Sequence, residues 1–244
     1  MTWNPEIKTT IDRVLKTKET SKLAVFDADG TLWHDDLGEA FFKHQIEKNL
    51  APGLRNISQP WAHYRQLCAR DATVAYGWLA QINASLSDAE LTQQAEDFYN
   101  LKFRSKFNPE VKDLIYQLRA HNFQVWICTA SIRWAIAPAL KDLDIDTDLL
   151  IGAEVELDKD KILTNKIVEP VPYKAGKKYW LEKKLKGKPL LVAGNSMGDL
   201  EMMAMAKVLP LTIVFEPHLP EIRDSEIELM AESKKRTWPI QIFR

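Results

Sequence analysis

Residues 23–32 read Leu-Ala-Val-Phe-Asp-Ala-Asp-Gly-Thr-Leu, an apolar run that breaks into two aspartates at i and i+2 and then a glycine. Four apolar residues bounded by a turn signal have the length of a fully buried strand, and Gly30 supplies the turn that ends it. Asp27 and Asp29 are therefore expected at a strand's carboxyl end, the edge where open α/β sheets bind ligands. Two carboxylates held close there can bind a hard cation while one of them attacks phosphorus. The competing reading of the same residues is an Asp-rich turn that caps a helix, since Asp and Gly are ordinary turn formers.

Three later segments bear on that choice. Gln124–Cys128 is a second buried-strand candidate and ends in Thr129-Ala130-Ser131, which places hydroxyls at another strand end. Tyr173-Lys174-Ala175-Gly176-Lys177-Lys178 opens a helical stretch and offers a cation. Pro189–Ala193 is a third strand run, leading into the loop Gly194-Asn195-Ser196-Met197-Gly198-Asp199. Taken in order, the four pieces resemble the haloacid dehalogenase superfamily: an Asp-Xaa-Asp-Gly-Thr motif, a strand-end Thr or Ser, a Lys, and an acidic loop after a glycine. The resemblance spans roughly residues 20–216 and is closest to the phosphoserine phosphatase-like branch, given where the insertion falls. It implies an α/β fold: a three-layer Rossmann-like parallel sheet with helices on both faces, plus a helical cap inserted after the first strand.

Periodicity divides the chain accordingly. After Thr31 the pattern turns helical, with Leu37, Phe41 and His44–Gln45 on one face, and stays so to about Phe103; Ser87 and Glu90 form a capping-box signature inside it. Asn108-Pro109 then starts a helix carrying Val111, Leu114, Ile115 and Leu118 at helical spacing. Beyond it the spacing predicts helices over 132–141 and 177–185, a short strand at 149–151, a hairpin from 155–157 and 162–167, and a last core strand at 211–215. The expected organisation is an α/β core from residues 1–34 and 105–244, with a helical cap from 35–104. The C-terminal segment from Arg236 reads as a surface strand or docking tail.

With 244 residues, of which 45% are hydrophobic, the chain can bury a sizeable core, which excludes disorder and fibres. A net charge of −1 gives no general attraction to nucleic acid or to anionic membrane, so any phosphate affinity is local. No apolar run is long enough to span a bilayer and the N-terminal residues lack a signal-peptide core, so a cytoplasmic protein is expected. Cys68 and Cys128 are too few and too far apart for a disulfide framework or a zinc site.

The resemblance also implies roles. Asp27 is the expected nucleophile on phosphorus, and Asp29 the acid that protonates the departing alkoxide and the base for the hydrolytic water. Thr129 is expected to meet a phosphoryl oxygen, and Lys177, chosen over Lys174 and Lys178 for its place behind Gly176, to stabilise charge on the phosphate and on Asp27. The cofactor implied is Mg²⁺, held by Asp27, the backbone carbonyl of Asp29 and the loop residues Asn195 and Asp199. Where phosphoserine phosphatases carry two aspartates four residues apart, this chain has Asn195 and Asp199. Asp199 is thus the expected firmer ligand, and Asn195→Asp is expected to tighten Mg²⁺ binding. Asp36 falls nine residues after Asp27, where the family places an acid against the substrate ammonium. With Trp33, Ala130 and Ser131 it forms the expected substrate contact, and an aromatic neighbour would favour an amine or quaternary ammonium head group. The expected partner is a small phosphomonoester, with neither nucleic acid nor membrane. Two other readings stand beside this one: a different hydrolase or phosphotransferase reaction on the same scaffold, and a binding or regulatory protein that has given up turnover.

Overall fold

The computed structural model describes residues 2–244. Helix α1 (Pro5–Leu15) is capped by the Asn4 side chain and buries Ile7, Ile11 and Val14. The apolar run is β1 (Leu23–Phe26), buried at every position. Four helices follow: α2 (Leu37–Lys48), α3 (Pro60–Arg70), α4 (Ala72–Gln81) and α5 (Asp88–Phe98). Ser87 and Glu90 close the reciprocal cap at the start of α5, and Asn108 caps α6 (Pro109–Ala120) by accepting from Val111 N at 3.0 Å. The chain then alternates: β2 (Gln124–Ile132), α7 (Arg133–Lys141), β3 (Leu150–Ala153), β4 (Val155–Leu157), β5 (Leu163–Ile167), α8 (Ala175–Lys184), β6 (Leu191–Gly194), α9 (Leu200–Met203), β7 (Leu209–Phe215), α10 (Arg223–Lys235) and β8 (Ile240–Phe243).

Six strands make one parallel sheet in the order β3-β2-β1-β6-β7-β8, and β4 and β5 pair separately as an antiparallel hairpin. Alternate residues face opposite sides, as strand geometry requires. Val25, Trp126, Cys128 and Val192 pack with Leu181 of α8, Met202 and Met203 of α9 and Leu229 of α10. Ala24, Phe26, Val125, Ile127, Leu191 and Ala193 belong to the larger core on the other side, shared with α1, α6 and α7. This is the three-layer α/β fold read from the sequence.

Helices α2–α5 bury Leu37, Phe41, Phe42, Leu79, Leu91 and Phe98 in that same larger core. They are also stitched to the β4–β5 hairpin through backbone bonds: Ser85 N to Leu163 O at 2.9 Å, Leu163 N to Leu86 O at 2.8 Å, and Asp88 N to Lys161 O at 2.9 Å. Nothing in the hydrophobic pattern announces this seam, because it is carried by main-chain groups.

One strand differs from expectation. The second core strand does not stop at Cys128; β2 continues to Ile132 through a register break against β3, and Thr129, Ala130 and Ser131 occupy the break. Of the two readings of the C-terminal segment the surface strand holds, because β8 pairs parallel with β7 through Thr212↔Ile240 to Phe215↔Phe243. The C-terminal segment is therefore an edge strand of the sheet. Among the described residues no helix is long and apolar enough to cross a membrane.

Candidate active site

The strand order reverses between β1 and β6, and in parallel α/β sheets that switch point opens a crevice at the carboxyl ends. Asp27 follows β1 there and Asn195 follows β6, and Asp27 N donates to Ala193 O at 2.9 Å. Around them lies a cavity of about 280 Å³, the scale of a small metabolite. Asp27, Asp29, Asp36, Thr129, Ala130, Ser131, Lys177, Asn195 and Asp199 all line it. Residues predicted from segments up to 172 positions apart thus meet in one place.

The centre is a buried charge chain. Lys177 Nζ donates to Asp27 Oδ1 at 2.5 Å and to Asp199 Oδ1 at 2.6 Å. Lys177 is 2% exposed and Asp199 1%, so each charge depends on the others for its solvation. Burial lowers the Lys177 pKa, but Asp199 and Asp27 outweigh it and hold the ammonium above the usual lysine range. Burial, and then the Asp199 charge, push Asp27 up to about 7 against the pull of Lys177. Of the three candidate lysines, Lys177 alone reaches these carboxylates; Lys178 pairs with Glu182 on the outer face of α8 and Lys174 is exposed.

Asp29 is held by three donors: Trp33 Nε1 at 2.9 Å and Leu37 N at 2.6 Å on Oδ1, and Ser131 Oγ at 2.6 Å on Oδ2. Its pKa is raised by burial, which these hydrogen bonds oppose. A buried carboxyl of this kind can carry a proton and give it up, which general acid chemistry requires. Ser131 reaches Asp29 because Gly38 lies beside it: a Cβ on Gly38 would sit 2.2 Å from Ser131 Oγ and 2.9 Å from its Cβ. Gly38→Ala is accordingly expected to push Ser131 off Asp29 and destabilise the protein by about 1–3 kcal/mol, the usual range for overpacking, as measured by urea unfolding.

Trp33 does not line the cavity. Its ring is fully buried, packed edge-on against Phe103 and Phe107, and it serves the site only through the indole N–H on Asp29. The expected substrate contact through its ring is therefore corrected. The cavity's aromatic wall is instead Tyr76 and Tyr173, T-shaped with centroids 5.2 Å apart. Asp36 caps α2, accepting from Glu39 N at 2.6 Å, and burial, with Asp29 and Glu39 beside it, raises its pKa well above the ordinary range.

Asp199, expected as the firmer metal ligand, is already engaged. Oδ1 takes Lys177, and Oδ2 takes the backbone amides of Asn195 and Ser196, both at 3.0 Å. Asn195 in turn donates from Nδ2 to Glu226 Oε1 at 3.0 Å, and Glu226 Oε2 lies 2.6 Å from His218 Nδ1. Glu226 and His218, and with them Glu39, Glu221 and the two tyrosines, escaped sequence reasoning because a single Glu or Tyr in a helix or loop carries no spacing signal.

Among the described residues no group of three or more His, Cys, Asp and Glu side chains is arranged to hold a metal. An oxygen set of another kind is present: Asp27 Oδ2 has no hydrogen-bond partner among the described residues, and Asp29's backbone carbonyl and Asn195 Oδ1 belong to residues on the same cavity wall. One carboxylate, two neutral oxygens and several waters suit Mg²⁺, which keeps much of its hydration shell.

A structure of a protein of unknown function from Bordetella pertussis Tohama I is similar to this chain with a TM-score of 0.69 at 20% identity, over 91% of this chain and 98% of that one. One of a functionally unknown protein from Anaerococcus prevotii DSM 20548 gives 0.72 at 14%, over 98% and 92%. A phosphoserine phosphohydrolase-like protein from Francisella tularensis subsp. tularensis SCHU S4 gives 0.56 at 18%, over 88% and 99%. At these identities the likeness is one of fold. A search of curated proteins finds no match. The family model described as haloacid dehalogenase-like hydrolase covers residues 24–204, from the first strand through the loop that holds Asp199, and the chain belongs to that family.

Proposed function

We propose that this hydrolase is a Mg²⁺-dependent phosphomonoesterase that passes the phosphoryl group through Asp27. The observation that carries the reading is the pairing of two buried carboxyls with different partners: Asp27 tied to the Lys177 ammonium, and Asp29 held by the neutral donors Trp33, Leu37 N and Ser131. Pairs whose environments differ in this way divide nucleophile from acid. Asp27 attacks phosphorus as the bond to the leaving oxygen breaks, and Asp29 donates its proton to that oxygen. The Asp29 carboxylate then takes a proton from the water that attacks the phosphoaspartate, which releases phosphate and restores Asp27. Lys177 holds Asp27 in line, and Thr129 Oγ1, which accepts from Ser131 N at 3.1 Å, keeps its own proton for a phosphoryl oxygen. Mg²⁺, held by Asp27, the Asp29 carbonyl and Asn195, would neutralise charge on the phosphoryl oxygens.

The same cavity is also lined by Asp35, Asp36, Glu39, Glu221, Tyr76 and Tyr173, with Lys43 beside them; Lys106 pairs with Asp35 at 3.3 Å and Arg65 with Glu39 at 3.8 Å. An acidic, aromatic wall favours a cationic head group, so we assign the substrate class as an amine- or choline-bearing phosphomonoester. Residues 35–104, with helices α2–α5, act as the cap that closes over it and excludes water.

Hydrolysis of p-nitrophenyl phosphate is expected to require Mg²⁺, to stop with chelator and to be lost in Asp27→Asn. Phosphocholine and phosphoethanolamine are expected to be turned over with higher kcat/KM than sugar phosphates. Metal-independent turnover would overturn the mechanism, and equal rates across those esters would overturn the head-group assignment alone.

A further inference from the structure

The amide of Asn195 has a fixed direction. Glu226 is 2% exposed and, as a carboxylate, can only accept, so the Asn195 atom 3.0 Å from its Oε1 is the donor Nδ2. Oδ1 therefore points the other way, 3.5 Å from Thr31 Oγ1 at the turn that carries Asp27 and Asp29. Gly30 completes the arrangement, since a Cβ there would fall 2.0 Å from Asn195 Nδ2; the amide lies against a bare backbone. Glu226 is itself held from its far side, with His218 Nδ1 2.6 Å from Oε2, so it cannot swing away from Asn195 without losing that contact.

We propose that Glu226 is a positioning residue that makes Asn195 a cation ligand, by aiming its Oδ1 at the Asp27–Asp29 turn and by supplying from one shell out the negative charge that an aspartate would carry. The proposal rests on the Mg²⁺ reading above. A carboxylate accepting from one end of an amide draws the N–H toward itself and enriches the oxygen at the other end. Outer partners of this kind set the direction and basicity of ligands that touch a metal. The same geometry explains why residue 195 is not aspartate: a carboxylate there would face the Glu226 carboxylate at hydrogen-bond distance with no proton between them. On this proposal Asn195→Asp alone does not tighten Mg²⁺ binding, in contrast to what the resemblance implies. Only the exchange of both residues keeps one negative charge and one amide in the pair.

The test is Mn²⁺ affinity in the full-length protein without substrate, from the free-ion signal in electron paramagnetic resonance, with thermal melting to verify folding. Glu226→Gln, which conserves shape, is expected to weaken Mn²⁺ binding by roughly 10–100-fold. Asn195→Asp alone is expected not to tighten it, whereas Asn195→Asp combined with Glu226→Gln is expected to return affinity to within a few-fold of wild type. A folded Glu226→Gln protein that binds Mn²⁺ like wild type, or an Asn195→Asp protein that binds tighter with Glu226 intact, overturns the proposal while leaving the phosphatase reading in place. A wild-type protein that takes up no Mn²⁺ overturns both.

Discussion

Lys177→Met is expected to remove catalysis and to lower the unfolding free energy by about 3–5 kcal/mol, the usual cost of breaking a buried ion pair from one side. The ammonium contacts Asp27 at 2.5 Å and Asp199 at 2.6 Å, and all three residues are buried. Methionine fills the space of the lysine stem but leaves two carboxylates facing each other without a counter-charge. Asp199 keeps the backbone amides of Asn195 and Ser196, so the loss falls chiefly on Asp27. Without Lys177 the folded state binds a proton on Asp27 more tightly than it does now, and more tightly than the unfolded chain. The variant's stability deficit is therefore largest at neutral and higher pH and shrinks as pH falls toward the ordinary carboxylate range. Urea unfolding at several pH values measures this. A neutral-pH stability equal to wild type would mean that the charge chain does not hold the site together.

Asp29→Asn is expected to slow steady-state turnover by about 10²–10⁴-fold, the usual contribution of a positioned acid or base. The substitution suits the purpose because the geometry survives it. The amide oxygen can still accept from Trp33 and Leu37, and the amide nitrogen can donate to Ser131 Oγ. What is lost is the proton. Alkyl phosphates need that proton in the first step, so they are expected to lose both steps. The p-nitrophenolate group leaves without one, so with p-nitrophenyl phosphate the variant is expected to release a burst of about one equivalent per site and then stall, because no base activates the water. Equal slowing of both steps would place the proton elsewhere.

How much of this was legible depends on how each feature is encoded. The strand ends at Asp27 and Asn195 could be read because buried parallel strands appear as short continuous apolar runs and the turn residues punctuate them. Local caps such as Ser87–Glu90 and Asn108 could be read for the same reason, since their partners lie three residues away. Thr129 and Ser131 were located, but not the register break that contains them, because a bulge is a property of two paired strands and leaves little mark on one. The partners of the loop residues were out of reach. Lys177 and Asp199 are 22 residues apart, and only packing at the sheet edge decides that they meet and that Asp199 is thereby committed. Trp33 looked like a substrate contact because aromatic residues serve both cores and binding sites; only Phe103 and Phe107, arriving after the four inserted helices, settle that it is core. Glu226 was invisible because its meaning lies entirely in Asn195, 31 positions away.

The central claim is that phosphate passes through Asp27, and trapping that species tests it most directly. Asp29→Asn, mixed with p-nitrophenyl phosphate and Mg²⁺, is quenched in acid within the burst and digested, and the peptides are mapped by mass spectrometry. The account predicts one added phosphoryl group on the peptide that contains Asp27, removed by mild base as an acyl phosphate is, and absent when Asp27 is also Asn. A phosphoryl group on any other residue, or continued turnover with Asp27 replaced, would contradict it.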